Sequence, residues 1–215
     1  MNVILLGPPG SGKGTQGEII KETFSLKQIS TGDILRAKMN SNSPLADEIK
    51  RVMKTGALFS DETINLLVEE TIKEIYDTMP NQGLLFDGFP RTIQQAVFLN
   101  DLLKKFNKKI DCVLSFYVPD EQIVDRVSAR RIDRNTGKVY NLIFNPPPAD
   151  QNLDLYQRVD DTEEVIKNRL DIYHKKTEKL VEFYKDLGLV EYVDATYELN
   201  VIKNNIENIL KKYQN

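Results

Sequence analysis

One segment, Gly7-Pro8-Pro9-Gly10-Ser11-Gly12-Lys13-Gly14-Thr15, restricts what this chain can fold into more than any other part of it. An apolar run, Asn2–Leu6, leads straight into it, and a helical pattern, Gly12–Thr23, leads straight out. A glycine-rich turn between a buried strand and a helix brings backbone N–H groups round one anion, with the helix N-terminus adding its partial positive charge. Lys13 supplies a full charge for β- and γ-phosphates. Gly10, Ser11, Gly12, Lys13, Gly14 and Thr15 are therefore candidate nucleotide-phosphate contacts. The usual motif places a hydroxyl directly after the lysine; here Gly14 intervenes and Thr15 carries it.

The rest of the chain fits an α/β domain. Further apolar runs at Leu26–Ser30, Leu84–Phe86, Cys112–Val118 and Leu189–Val193 read as parallel strands covered on both faces. Helical patterns at Thr92–Lys105, Thr162–Leu187 and Asn200–Tyr213 separate and follow them. Alternation of this kind predicts a parallel sheet between helices. Two stretches interrupt it. Residues 31–76 hold helical patterns with no strand between them, and residues 131–161 carry a turn, Arg134-Asn135-Thr136-Gly137, between segments that could pair as a hairpin. Pro146-Pro147-Pro148 excludes a helix or central strand there. Both stretches are expected at the C-terminal edge of the sheet, where open α/β sheets take ligands.

Composition narrows the chemistry. Over 215 residues, 29 basic and 32 acidic side chains leave a net charge of -3, which gives no reason to expect duplex DNA or an anionic membrane as partner. A single cysteine, Cys112, cannot form an internal disulfide or a thiolate zinc site, and a single histidine, His174, excludes a multi-histidine centre. Cys112 reads as a buried structural thiol and His174 as a helix-surface residue. The apolar start, Val3–Leu6, is too short for a signal sequence or a membrane span, so a soluble, cytoplasmic protein is expected. The tail, Lys211 to Asn215, is expected to fray.

Other candidate groups suit phosphate chemistry. Asp87 ends the strand Leu84–Phe86, where a carboxylate can hold Mg²⁺ through water. Phosphoryl transfer needs positive charge around the transferring oxygens, and arginine supplies a fork of donors that stays charged. Arg36, Arg91, Arg126, Arg130, Arg131, Arg134, Arg158 and Arg169 are all available, and pattern alone does not choose among them. Asn107-Lys108-Lys109-Ile110-Asp111 approaches the base-reading motif of a GTPase switch, but its aspartate is one residue late and it precedes a strand. It reads as a helix-to-strand loop.

Taken in order, the glycine-rich loop, Ser30-Thr31-Gly32-Asp33-Ile34-Leu35-Arg36, Asp87-Gly88-Phe89-Pro90-Arg91, Asn145-Pro146-Pro147, Arg158-Val159-Asp160-Asp161 and Asn168-Arg169-Leu170 closely resemble adenylate kinases. The resemblance runs from Asn2 to about Asp194. It implies a P-loop NTPase core with a five-stranded parallel sheet flanked by helices (1–29, 60–128 and 162–215), a helical nucleoside-monophosphate-binding insertion (30–59) and a small β lid (129–161). It implies Mg²⁺-dependent transfer between ATP and AMP, giving two ADP, by a cytoplasmic monomer with no nucleic-acid or membrane partner.

The resemblance also implies residue roles. Lys13, Arg91, Arg130, Arg158 and Arg169 would be catalytic. The acceptor AMP would meet Thr31, Arg36, Ala57, Leu58, Phe59, Gly88, Phe89, Pro90, Arg91, Gln95, Arg158 and Arg169. Thr31 and Gln95 together point to adenine. The donor ATP would meet the loop, Arg130, Val139, Tyr140 and Tyr197. Asp87 and Asp33 would hold Mg²⁺ through water; Gly14 is usual in this family, where water carries most of that ligation. Some relatives staple the lid with zinc. This lid has no cysteine, so a polar network through Asp133 and Thr136 is expected instead. Tyr197 stands where many relatives carry Lys or Gln, which leaves GTP:AMP transfer as an alternative, with a P-loop hydrolase, switch or nucleotide sensor behind it.

Overall fold

A computed structural model of the chain describes residues 1–39 and 46–214. In chain order the elements are β1 (Asn2–Leu6), α1 (Lys13–Thr23), β2 (Lys27–Ser30), α2 (Thr31–Met39), α3 (Ala46–Thr55), α4 (Asp61–Thr78), β3 (Leu84–Asp87), α5 (Ile93–Lys105), β4 (Cys112–Tyr117), α6 (Asp120–Ser128), β5 (Arg130–Asp133), β6 (Val139–Asn141), β7 (Leu155–Tyr156), α7 (Glu163–Ile172), α8 (Lys179–Asp186), β8 (Val190–Asp194) and α9 (Leu199–Leu210).

Five strands form one parallel sheet in the order β2-β3-β1-β4-β8. All five lie within a residue of the apolar runs at one or both ends. The reason is visible along β1, whose five residues are all buried. Ile4 and Leu6 face one core layer with Phe86, Val68, Ile72, Leu99 and Leu180. Val3 and Leu5 face the other with Ile20, Leu114, Ile166 and Ile206. A strand buried on both faces has no polar side to show, and each such side chain contributes roughly 1.5–3 kcal/mol by leaving water.

Three helices, α4, α5 and α7, begin on side-chain caps that the sequence supplies. Ser60 accepts from Thr63 N at 3.2 Å, Thr92 from Gln95 N at 3.1 Å and Thr162 from Val165 N at 3.4 Å. The described part of 31–76 holds α2, α3 and most of α4, with a non-helical link at 56–60 and no strand between them. Arg130–Asp133 and Val139–Asn141 pair antiparallel around the Arg134–Gly137 turn, as the pattern suggests. A two-residue strand, β7, adds to the other side of β5 and was not anticipated.

Two expectations change. The pattern over Thr162–Leu187 is not one α-helix: a π-helical turn, Tyr173–Thr177, separates α7 from α8. The C-terminal tail does not fray over the described residues. Lys211–Tyr213 form a 3₁₀ turn, Tyr213 donates to Glu191 Oε1 at 3.1 Å, and Lys212 lies 3.7 Å from the same carboxylate. Tyr213 packs on the sheet layer that holds Cys112, so a partly buried aromatic ring anchors what composition presents as a loose polar end. Among the described residues no helix is long and apolar enough to cross a membrane.

Candidate active site

The site forms at the C-terminal ends of β1 and β3, the two strands paired as Leu5 with Asp87. Beyond β1 the chain turns through the glycine-rich loop into α1. Gly10 has φ 79°, and a Cβ there would come within 2.4 Å of Val127 Cγ2, so neither conformation nor space admits another residue. Lys13 Nζ donates to Gly7 O at 2.7 Å, Pro8 O at 2.6 Å and Ser11 Oγ at 3.2 Å. Burial, reinforced by Arg91, Arg169 and Arg130, pulls the Lys13 ammonium down to about 7, against the opposing pull of Asp87.

Asp87 closes the floor. A Cβ on Gly14 would sit 3.7 Å from its Oδ2, which places this carboxylate beside the start of α1. Burial raises its pKa, Asp33 adds to the effect, and Lys13 and Arg91 oppose it. Asp33 is held the other way. Burial resists its ionisation, but Arg36 at 2.5 Å and Ser30 outweigh that and lower its pKa.

The arginines separate into two groups. Arg36, Arg91, Arg130, Arg158 and Arg169 feel one another's charge and that of the buried pair Asp160 and Asp161. Arg130 clamps Asp161 with Nε at 2.8 Å and with a second guanidinium nitrogen. The pairing outweighs burial and raises its pKa. Arg169 donates to Asp160 Oδ2 at 2.8 Å. Arg91 and Arg158 are each pushed down to about 10, first by burial and then by neighbouring arginines. Arg158 Nε and Asp160 Oδ1 are buried without a protein partner among the described residues. A guanidinium nitrogen aimed at no protein acceptor fits an anion.

The other three do structural work elsewhere. Arg126 donates to Ala195 O at 2.9 Å and lies over Phe144, Arg131 donates to Ser128 O at 3.0 Å, and Arg134 stacks on Tyr156 beside Asp154.

A neighbouring cavity is lined by Thr31, Arg36, Ala57, Leu58, Phe59, Gly88, Arg91, Gln95 and Arg169, all anticipated for one nucleotide, and by Asp160. Met53, Gly56 and Ile64 also line it and were not singled out; as apolar or small residues they carry no chemical signal in sequence. Thr31 spends its hydroxyl proton on Gly88 O at 2.8 Å. The Phe89–Pro90 peptide is cis, and both residues are buried behind the cavity wall. Of the anticipated donor-base contacts, Tyr140 is buried beneath Lys138, Val139 is half-buried and Tyr197 is exposed.

The chain matches the adenylate kinase family model over residues 5–189. The chain belongs to the adenylate kinase family. It is 44% identical over 216 residues to an adenylate kinase of Clostridium botulinum (strain Hall), with 98% of each chain covered. It is 42% identical to one of Archaeoglobus fulgidus, covering 99% of each, and 41% identical to one of Methanothrix thermoacetophila, covering all of both.

Other features agree with an adenylate kinase rather than with the competing readings. Asn107–Asp111, the near-match to a switch motif, lies at the opposite, N-terminal edge of the sheet. There Asp111 accepts from Asn2 N at 2.7 Å and Lys109 O from Asn2 Nδ2 at 2.7 Å, so the segment fastens strand starts. In the small sheet, Asp133 Oδ2 accepts from Thr136 N at 3.0 Å and Thr136 Oγ1 at 2.6 Å, and its Oδ1 accepts from Asp154 N at 3.2 Å. These bonds form the polar network expected through Asp133 and Thr136. Cys112 is buried, and burial pushes its thiol up to about 12. His174 is exposed between Asp120 and Glu178.

Proposed function

We propose that this adenylate kinase moves the γ-phosphoryl group of ATP to AMP, reversibly, giving two ADP. The observation that carries the reading is the convergence of Lys13 with Arg36, Arg91, Arg130, Arg158 and Arg169 beside a cavity lined by Thr31, Arg36, Arg91, Gln95 and Arg169. We assign residues 30–59, in which 40–45 lie outside the described residues, to the acceptor insertion and 129–161 to the lid, both on the core formed by 1–29, 60–128 and 162–215.

An AMP phosphate oxygen attacks the γ-phosphorus; the new P–O bond forms as the bond from the γ-phosphorus to the β-bridging oxygen breaks, and ADP leaves with that electron pair. No side chain has to form a covalent intermediate. Lys13 and the loop N–H groups hold the donor phosphates, Arg36 and Arg91 fix the acceptor phosphate, and Arg130, Arg158 and Arg169 face the transferring group. Closing the lid over them excludes water as a competing acceptor.

Among the described residues no three Asp, Glu, His or Cys side chains cluster as a metal cage. The donor set fits Mg²⁺, which keeps several waters and binds through one or two carboxylates and substrate phosphates. Asp87 and Asp33 would hold it through water. When bound it supplies charge neutralisation across the β- and γ-oxygens.

A coupled assay for ADP formation tests the reading. AMP-dependent consumption of ATP supports it. AMP-independent hydrolysis, or no turnover with Mg²⁺ present, overturns it. Running ATP against GTP at saturating AMP decides the donor, with ATP expected to be used better.

A further inference from the structure

We propose that Asp61 is a positioning residue that sets base selectivity in the acceptor cavity by fixing which way round Gln95 presents its amide. The inference rests on the acceptor reading above.

Gln95 lines the cavity and is only 2% exposed, so protein groups orient its amide. Its Oε1 accepts from Arg91 N at 2.7 Å, and its Nε2 donates to Asp61 Oδ1 at 2.7 Å. Asp61 is itself held, since Thr92 Oγ1 donates to its Oδ2 at 2.9 Å while accepting from Gln95 N at 3.1 Å. Asp61 opens α4, one residue beyond the segment Ala57–Phe59 on the cavity wall, and Thr92 and Gln95 lie at the start of α5. One carboxylate thus joins the starts of two helices to the amide.

The two partners of Gln95 have fixed and opposite polarity. The Arg91 N–H can only donate and an ionised Asp61 can only accept. Turning the amide over would set N–H against N–H on one side and oxygen against carboxylate on the other. Both contacts are repulsive, and both lie in a buried place where unmade hydrogen bonds are costly.

The amide keeps one acceptor site on Oε1 and one N–H on Nε2. That pair complements a base edge with an exocyclic amine beside a ring-nitrogen acceptor. A 6-oxopurine offers an acceptor beside an N–H and would require the reversed amide. The lock therefore favours amino over oxo at the 6-position, through a residue that need not touch the base. Sites built around hydrogen bonds discriminate strongly because the wrong partner leaves buried groups unpaired.

AMP and IMP differ at the purine 6-position and serve as the probes. Wild-type protein, Asp61→Ala and Asp61→Asn are compared for kcat and KM with each acceptor at saturating ATP and Mg²⁺, with Tm recorded for each. Asparagine can accept from or donate to the amide, so the carboxylate's share of the orientation is lost and only that of the Arg91 N–H remains. The expected result is a wild-type preference for AMP, and in both variants at least a ~10-fold fall in the AMP/IMP ratio of kcat/KM. The change should lie mainly in KM. An unchanged ratio in a folded variant, whatever its Tm, overturns the proposal, as does a wild-type protein that does not distinguish the two acceptors. Should Asp61→Ala not fold, Asp61→Asn alone decides. Failure of the acceptor reading would look different: wild-type protein would form no ADP in response to AMP.

Discussion

Lys13 shows how residue-level chemistry and stability pull apart. Its ammonium sits among three arginines and is drawn from 10.5 to about 7. A lysine whose folded pKa lies below its unfolded value binds more protons unfolded, so the penalty is full below about pH 7 and fades as pH rises toward 10.5. Lys13→Met should therefore stabilise the nucleotide-free protein at pH 7. The penalty is offset in part by the lost hydrogen bonds to Gly7, Pro8 and Ser11, and partial solvent contact trims it further. A net gain of about 1–2 kcal/mol remains. Thermal melts from pH 7 to 10 should show the gap between variant and wild type closing as pH rises, while ATP-dependent turnover is lost at every pH. A gap that widens with pH would contradict the assignment. At this scale the sequence was only half legible. Lys13 was unmistakable because its loop is contiguous in the chain. The eight arginines were not separable by pattern, since what distinguishes Arg158 from Arg131 is which carboxylates and cations stand nearby in space. Asp160 and Asp161 stood in a quoted motif without a role. Their importance appears only once they are seen closing on Arg169 and Arg130.

Among the elements, the parallel strands were the easiest to read, because burial on both faces writes itself as an unbroken apolar run. The π-helical turn Tyr173–Thr177 was invisible, because one extra residue in a helical stretch barely disturbs its periodicity. That turn makes a contact with a candidate site residue, Arg91. Thr177 is buried, and its hydroxyl donates to Arg91 O at 3.0 Å. Arg91 is thereby held at three points, the others being its N–H on Gln95 Oε1 and its Nε on Gly88 O at 2.8 Å. Thr177→Val keeps the shape and removes the donor. Losing one such hydrogen bond, about 1 kcal/mol, should lower kcat roughly fivefold, with a smaller change in the KM for AMP. Thr177→Ser should restore the rate. A drop in Tm with kcat unchanged would assign Thr177 to stability alone. The strand β7, only two residues long, lies below what periodicity can resolve; its place on β5 follows from Asp133 capturing Asp154 N.

For the whole molecule, a net charge of -3 conceals a cleft in which cations are packed against one another. The carboxylates Asp87, Asp160 and Asp161 offset part of this repulsion, and burial depresses Arg91 and Arg158 despite them. Binding of phosphate groups relieves that repulsion, so nucleotides should stabilise the fold by more than simple occupancy of independent pockets. A ligand that binds only the folded state adds RT ln(1 + [L]/Kd), about 2.7 kcal/mol at one hundred times Kd. For two independent sites these gains add. On the proposed reading the donor and acceptor phosphates would share Arg91, Arg158 and Arg169, and a lid closing over both would be ordered once rather than twice. The Tm shift produced by AMP with a non-hydrolysable ATP analogue should therefore exceed the sum of the shifts with each alone, at fixed Mg²⁺ and ionic strength. Lys13→Met should lose the analogue's share and the excess together, yet keep the shift due to AMP, because Thr31, Arg36 and Gln95 remain in place. Strictly additive shifts in the wild type would mean that the two nucleotides do not meet over one set of arginines, and the single-cleft reading would fall with them.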